Sequence, residues 1–276
     1  MSSSESAIHS YLCADGYVIR NPASQKHKYY RIGFRNTNKV LLTDFAKKFE
    51  KVFGVKPRIS KDRVELGSKK IYEYLSEKES FYSHEWKMPD ISGDSLSLWL
   101  RAFFDCEAWV ELQPFKSRAI RVDSVNTEGL RRIRNKLEKL GIKAQIRMRE
   151  KRDIVRLNIC GKENLVKFQK TVGFLHPEKR ALLAKAISSY KTYIWEIPST
   201  RNQLVEFIKS KGRKSAVRKE VRFNSILREN LIRLKRALER YNIQSRLLGP
   251  WVSGTGSRYY CLSIPHLSLK KVGYGH

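Results

Sequence analysis

The sequence predicts an α+β fold. It consists of two pseudo-symmetric helix–strand–strand–helix–strand–strand–helix (αββαββα) repeats and a third, degenerate repeat built around a β-α-β segment. Three observations predict it. Segments recur at a spacing near 90 residues. The strand-like segments alternate apolar with basic or polar residues. The helix-like segments carry apolar stripes at helical spacing and stop at glycine.

Taken in chain order, the first helix starts at Ser2, with Glu5 three residues on as a capping box. In the strand YYRIGFR, Tyr30, Ile32 and Phe34 share one face, while Arg31, Gly33 and Arg35 share the other. A shift of 88 carries Ile32 onto Ile120, Phe34 onto Val122, Asn38 onto Asn126 and Leu42 onto Leu130. FGVKPRI then matches LGIKAQI at a shift of 87, and RVEL matches IVRL at 91. In the second copy Ile120 and Val122 oppose Arg121 and Asp123; Ile146 and Met148 oppose Arg147 and Arg149; Val155, Leu157 and Ile159 oppose Arg156 and Asn158. The helix LRRIRNKLEKLG carries Leu130, Ile133, Leu137 and Leu140 as its stripe and stops at Gly141. Residues 220–247 align without a gap on 119–146, with Arg222 on Arg121, and RYYCLSI forms the returning strand of this third, partial copy. The expected domains are residues 1–90, 91–190 and 191–276.

The chain has 276 residues and a net charge of +29, so it calls for a polyanionic partner, with nucleic acid first. The basic residues are spread along the whole chain, which disfavours a membrane surface. No apolar run is long enough to span a bilayer, and the N-terminus lacks the pattern of a secretory signal. Cys13, Cys106, Cys160 and Cys261 form no C-x-x-C pair, an argument against zinc and for a reducing compartment. The expected location is therefore cytoplasmic, beside the nucleoid. Each sheet is expected to leave a basic face open to nucleic acid, presenting Arg20, Arg31, Arg35, Arg121, Arg147, Arg149, Arg156 and Arg222.

The chemistry is expected at the helices that open the first two copies. SYLCADGYV aligns with AFFDCEAWV at a shift of 92, which places Asp15 on Glu107. Ser10 and Ala14, like Ala102 and Cys106, are small residues four apart, so these helices can approach closely. Pairing them brings Asp15 and Glu107 together at helix C-termini, where the helix dipole disfavours anions. Recurrence of a carboxylate at such a place points to a divalent metal held against a phosphodiester.

IHSYLCADG and LRAFFDCEA resemble the two motifs of a single-chain LAGLIDADG homing endonuclease. IGFRNTNKVLLTDF, HEWKMPDI, IRVDSVNTEGL and VGFLHPEKRALL resemble supporting segments of archaeal members, and the resemblance covers roughly residues 4–187. It implies paired motif helices at the centre of the molecule and two sheets forming a saddle over double-stranded DNA. It further implies Mg²⁺ (or Mn²⁺) at Asp15 and Glu107, with Lys87 and Lys179 as basic assistants near the metals. The enzyme so implied is a monomeric, site-specific double-strand DNA endonuclease. Three departures bear on this: Cys13 stands where Asp105 keeps the earlier acid, Ala108 replaces the final glycine, and Trp109 follows it. In the third copy Lys211 falls opposite Glu107, so no third metal site is expected. The rival reading is a non-cleaving binder of DNA or structured RNA on the same scaffold, such as a splicing maturase or a regulator. Other chemistries find no pattern: there is no P-loop, the histidines lack metal-ligand spacing, and SGTGS (253–257) reads as a hairpin loop.

Overall fold

A computed structural model describes residues 1–276 except 23, 28, 78–79, 114–116, 149–152, 191–192, 216–218, 255–257 and 271–276. Arg149 and most of the SGTGS loop lie outside the described residues. The chain forms two compact units, Met1–Ser189 and Tyr190–His276.

The first repeat runs α1 (Ser3–Ala14), β1 (Gly16–Arg20), β2 (Tyr30–Arg35), α2 (Lys39–Phe53), β3 (Arg58–Ile59), β4 (Arg63–Gly67) and α3 (Lys69–Ser76). The second runs α4 (Gly93–Glu107), β5 (Ala108–Gln113), β6 (Ser117–Ser124), α5 (Thr127–Lys139), β7 (Ala144–Met148), β8 (Val155–Cys160), α6 (Lys162–Thr171) and an added α7 (Pro177–Ser188). The C-terminal unit runs α8 (Arg201–Lys211), β9 (Arg213–Ser215), β10 (Glu220–Ser225), α9 (Arg228–Glu239), β11 (Arg246–Val252), β12 (Arg258–Pro265) and α10 (His266–Lys270). The third repeat is thus complete in element order rather than partial. All three sheets are antiparallel and share one strand order, first–second–fourth–third.

Local chemistry sets the element ends. Ser2 and Glu5 close the capping box on α1. The Asn38 carboxamide accepts from Val40 and Leu41 N–H to start α2, and Asn126 accepts from Gly129 N–H to start α5. Gly141, at φ +72°, turns the chain out of α5.

Each sheet buries one face. Ile32, Phe34 and Val64 pack with Leu41, Phe45 and Phe49 of α2 and with Ile8, Tyr11 and Leu12 of α1. In the second repeat Ile120, Val122, Leu157 and Ile159 are buried with Leu130, Ile133 and Leu137 of α5. Met148 departs from the expected apolar face: it is 66% exposed at the end of an edge strand, beyond the reach of the core. The C-terminal unit has its own core of Leu204, Ile208, Val221, Phe223, Leu234, Leu238 and Ile264.

Helices α1 and α4 join the first two repeats. Ser10 Oγ donates to the Trp99 carbonyl at 2.6 Å, a side chain-to-backbone contact that only a small residue permits. Trp99 Nε1 donates to His9 Nδ1 at 3.1 Å, and Ser3 and Ser95 hydroxyls meet at 3.3 Å. Replacing Ser10 tests this contact. Ser10→Leu should lower unfolding free energy by about 2 kcal/mol or more through overpacking, and Ser10→Ala by about 1 kcal/mol through the lost hydrogen bond. Urea midpoints of the two variants measure both; equal midpoints would show that close helix approach is not limiting.

Candidate metal and nucleic-acid site

Asp15 is the residue that caps the C-terminus of α1, and Glu107 is the last residue of α4. Helix pairing therefore sets the two carboxylates near each other. Burial and the Asp15 charge push the Glu107 carboxyl up to about 7, with Lys179 opposing. Asn36 Nδ2 donates to Asp15 Oδ2 at 3.0 Å, and Arg35 N–H donates to the Asp15 carbonyl at 3.0 Å. Asn36 thereby orients the Asp15 carboxylate. Sequence reasoning missed it, although it lies two residues before the repeated Asn38 and its Oδ1 accepts from that residue's N–H.

Lys179, on α7, donates to the carbonyls of Asp105 at 2.5 Å and Cys106 at 3.3 Å. A cation there complements the open C-terminal carbonyls of α4. Burial pulls the Lys179 ammonium below its ordinary pKa, while Cys106, Asp105, Asp15 and Glu107 act to raise it. Lys179 is thus coupled electrostatically to both carboxylates. Lys87 is exposed and is not among the charges that perturb Glu107 or Lys179.

The earlier motif acid has a separate task. Asp105 is almost wholly buried, and its carboxylate accepts from the N–H groups of Leu175 at 3.0 Å and His176 at 2.9 Å, at the entry to α7. Burial raises its carboxyl to about 6, against the pull of those two donors. In the first half the corresponding segment, residues 80–91, forms no helix and so no turn into one for an acid to hold. Cys13 fills that place, 3.5 Å from His9 Nδ1.

Glu107 also lines a cavity of about 230 Å³ with Cys13, Ala14, Trp86, Phe103 and Asp123. Trp109 is not in that lining. It pairs with Arg121 across the sheet, and Arg156 lies 5.0 Å above its ring. Ala108 is extended, at φ −89° and ψ 152°, so the chain passes from α4 into β5 without needing glycine.

Two carboxylates at adjoining helix ends, one with its pKa raised by the other, form a hard oxygen set suited to a divalent cation completed by phosphate and water. Among the described residues no cluster of three or more His, Cys, Asp or Glu side chains accompanies them. The donor set fits Mg²⁺, which often takes one or two carboxylates plus substrate oxygens.

The arginines fall into two groups. Arg20, Arg31, Arg35 and Arg147 are exposed; Arg31 lies 4.7 Å above the Tyr29 ring and Arg35 5.7 Å above Tyr17. Arg121, Arg156 and Arg222 are ion-paired on the sheets, with Glu111 at 2.5 Å, Asp123 at 2.6 Å and Glu220 at 2.5 Å. The sheet faces are therefore interlaced with acids. Half-buried guanidinium groups gain from a carboxylate on a facing or nearby strand position. On the first sheet Tyr17 lies across Gly33 and donates to Glu65 at 2.5 Å; a Cβ on Gly33 would fall 2.3 Å from the tyrosine ring.

Residues 94–173 match the family model described as the LAGLIDADG-like domain. The replication factor C small subunit of Thermococcus kodakarensis is 28% identical over 179 residues, which is 61% of this chain and 19% of that protein. The chain thus spans about a fifth of that curated relative. Among solved structures, I-DmoI in complex with DNA and Ca is 18% identical, with a TM-score of 0.49 over 67% of this chain and 100% of that one. The homing endonuclease I-WcaI bound to its DNA recognition sequence is 15% identical, with a TM-score of 0.46 over 66% and 85%. Full-length DUF199/WhiA from Thermatoga maritima is 14% identical, with a TM-score of 0.47 over 79% and 68%.

The raised Glu107 pKa has a stability consequence. A carboxyl at about 7 when folded, against 4.5 for the ordinary group, holds its proton more tightly in the folded chain. Its penalty is absent below pH 4.5, grows as pH rises to about 7, and is complete above that. In EDTA, Glu107→Gln should therefore melt roughly 7 °C or more above the wild type at pH 8, and the difference should vanish by pH 4.5. A pH-independent gap in thermal melts would disprove the assignment.

Proposed function

We propose, from the premise that the second repeat is a LAGLIDADG-like domain, that this chain is a Mg²⁺-dependent, site-specific double-strand DNA endonuclease. The observation that carries this reading is the carboxylate pair at the ends of α1 and α4, where Asp15 opposes ionisation of Glu107. Like charges at two helix C-termini are an electrostatic cost, and a cation would remove it.

Asp15 and Glu107 would hold Mg²⁺ or Mn²⁺. A divalent cation bound there supplies positive charge at the scissile phosphate and lowers the pKa of a coordinated water. The chain's own residues do the rest. Asn36 keeps the Asp15 carboxylate in one orientation. Burial around Glu107 limits competing solvent. Lys179 is held by two carbonyls beside both acids and adds a fixed positive charge near the developing phosphorane. Arg20, Arg31, Arg35 and Arg147 are the exposed groups that can neutralise DNA phosphates without first breaking an ion pair seen on the sheets. Arg121, Arg156 and Arg222 would need to exchange their carboxylate partners for phosphate. Because both motif helices lie in one chain, the active species is a monomer.

One observation favours a second reading, a non-cleaving nucleic-acid binder of the maturase or regulator type. Lys179 already gives the two carboxylates a counter-charge, so the pair can persist without metal.

The two readings separate in one assay series. Under the endonuclease reading, Glu107→Gln and Asp15→Asn abolish cleavage of a DNA library with Mg²⁺ while leaving duplex affinity intact. Lys179→Met slows cleavage by about 100-fold. Wild-type binding without any cleavage, in either Mg²⁺ or Mn²⁺, would select the binder; cleavage by Glu107→Gln at the wild-type rate would remove the site assignment.

A further inference from the structure

The third repeat carries a cavity at the place of the one in the second repeat, with different charges around it. In the second repeat Trp86 enters from the preceding segment, followed by Lys87 and Pro89; Phe103 and Glu107 come from α4, and Asp123 from β6. In the C-terminal unit Trp195 enters likewise, followed by Glu196 and Pro198. Phe207 and Lys211 come from α8, and Asn224 from β10. In each repeat an asparagine near the start of the following helix holds the entering segment. Asn126 Nδ2 donates to the Trp86 carbonyl at 2.8 Å; the buried Asn230 donates to the Tyr193 carbonyl at 2.6 Å and accepts from Trp195 N–H at 2.9 Å. The charges differ: Lys211 lines the cavity where the second repeat has Glu107, and Glu196 joins the lining where the exposed Lys87 lies outside it.

The resulting cavity is larger, about 580 Å³ against 230 Å³. In the second repeat α1 contributes Cys13 and Ala14 to the lining; in the third, all lining residues belong to Tyr190–His276. Its walls are aromatic. Phe207 and Phe223 stack with an interplanar angle of 2°, Trp195 lies 6.3 and 6.0 Å from them, and Tyr193 stands 69% exposed at the edge.

We infer that this aromatic cavity of the C-terminal unit binds one nucleotide of a single-stranded nucleic acid. The volume falls within the range of small-molecule sites, about 300–1,000 Å³. Tyr193 and the ring edges offer a surface for a base to stack on, and stacking tolerates any base. Lys211 stands where the second repeat presents a carboxylate, so a phosphate is met by a cation directly instead of through a metal. Glu196 and Asn224 can take hydrogen bonds from, and Asn224 can give them to, the edge of a base. A duplex cannot enter, because its bases are already stacked and paired.

The test is photo-crosslinking of the full chain to single-stranded oligonucleotides carrying 5-bromouracil, one DNA and one RNA, with the adducts mapped by mass spectrometry. Adducts are expected on the peptides holding Tyr193, Trp195 or Phe207, and the arm that yields them names the sugar. Tyr193→Ala should weaken single-strand affinity about tenfold. Lys211→Glu should weaken it similarly and make the salt slope shallower by about one phosphate contact. Both residues are exposed, and unchanged melting of the variants shows that the fold is kept. Duplex binding and cleavage should persist in both, which separates this site from the carboxylate pair. Adducts confined to Met1–Ser189, equal labelling by a fully duplex probe, or unchanged affinity in both variants would overturn the assignment.

Discussion

Everything in the N-terminal unit depends on how closely α1 and α4 approach. The Ser10 hydroxyl reaches the Trp99 backbone, which requires a small residue at that crossing. Close approach brings the two helix C-termini together, and with them Asp15 and Glu107. A wider crossing would leave each carboxylate alone, solvated and electrostatically unremarkable. The raised Glu107 pKa and the cavity lined by Cys13, Ala14 and Glu107 both depend on that approach.

The two halves are not equivalent, and the difference follows from what comes after each sheet. The second half adds α7, which the turn at Leu175 and His176 leads into. Asp105 holds the turn before it by accepting from the Leu175 and His176 N–H groups, and α7 delivers Lys179 to the α4 carbonyls. The first half has no such helix, so Cys13 suffices where Asp105 stands, and Lys87 remains outside. Asn38 spans the halves through a 3.2 Å contact with His176, so the cap of α2 and the start of α7 are fixed jointly.

Much of the architecture was legible because repeats leave aligned residues. The shift that carries Ile32 onto Ile120 also carries the Asn38 cap onto the Asn126 cap, and the shift of 92 pairs Asp15 with Glu107. Alternation identified the buried faces of the strands. Ion pairing of the sheet arginines was not legible, because Arg121 with Glu111 and Arg156 with Asp123 meet only once strand register is known. Asn36 was hidden because the second copy has Ser124 at its place. The third repeat looked partial because its α8 lacks the motif's acid, with Lys211 opposite Glu107 and Glu206 opposite Ala102, although its element order is complete. Trp195 and Pro198 were the unused signal: they repeat Trp86 and Pro89, which lead into the preceding copy.

The pairing of α1 with α4 also governs the order in which the chain can mature during synthesis. Helix α1 is made before its partner, which is finished only at Glu107, some ninety residues later. Until then the face carrying Ser6, His9 and Ser10 has no surface to cover it, and the nascent first repeat is the stage at which a chaperone or a wrong neighbour has access. The third repeat has no such waiting period. Its core closes from residues within Tyr190–His276, and the outward residues of α8, Asn202, Gln203, Glu206 and Ser210, are already polar. A duplicated half-unit that kept an apolar motif face would compete with α4 for α1; with this polar face, the repeat made after the pair cannot displace it.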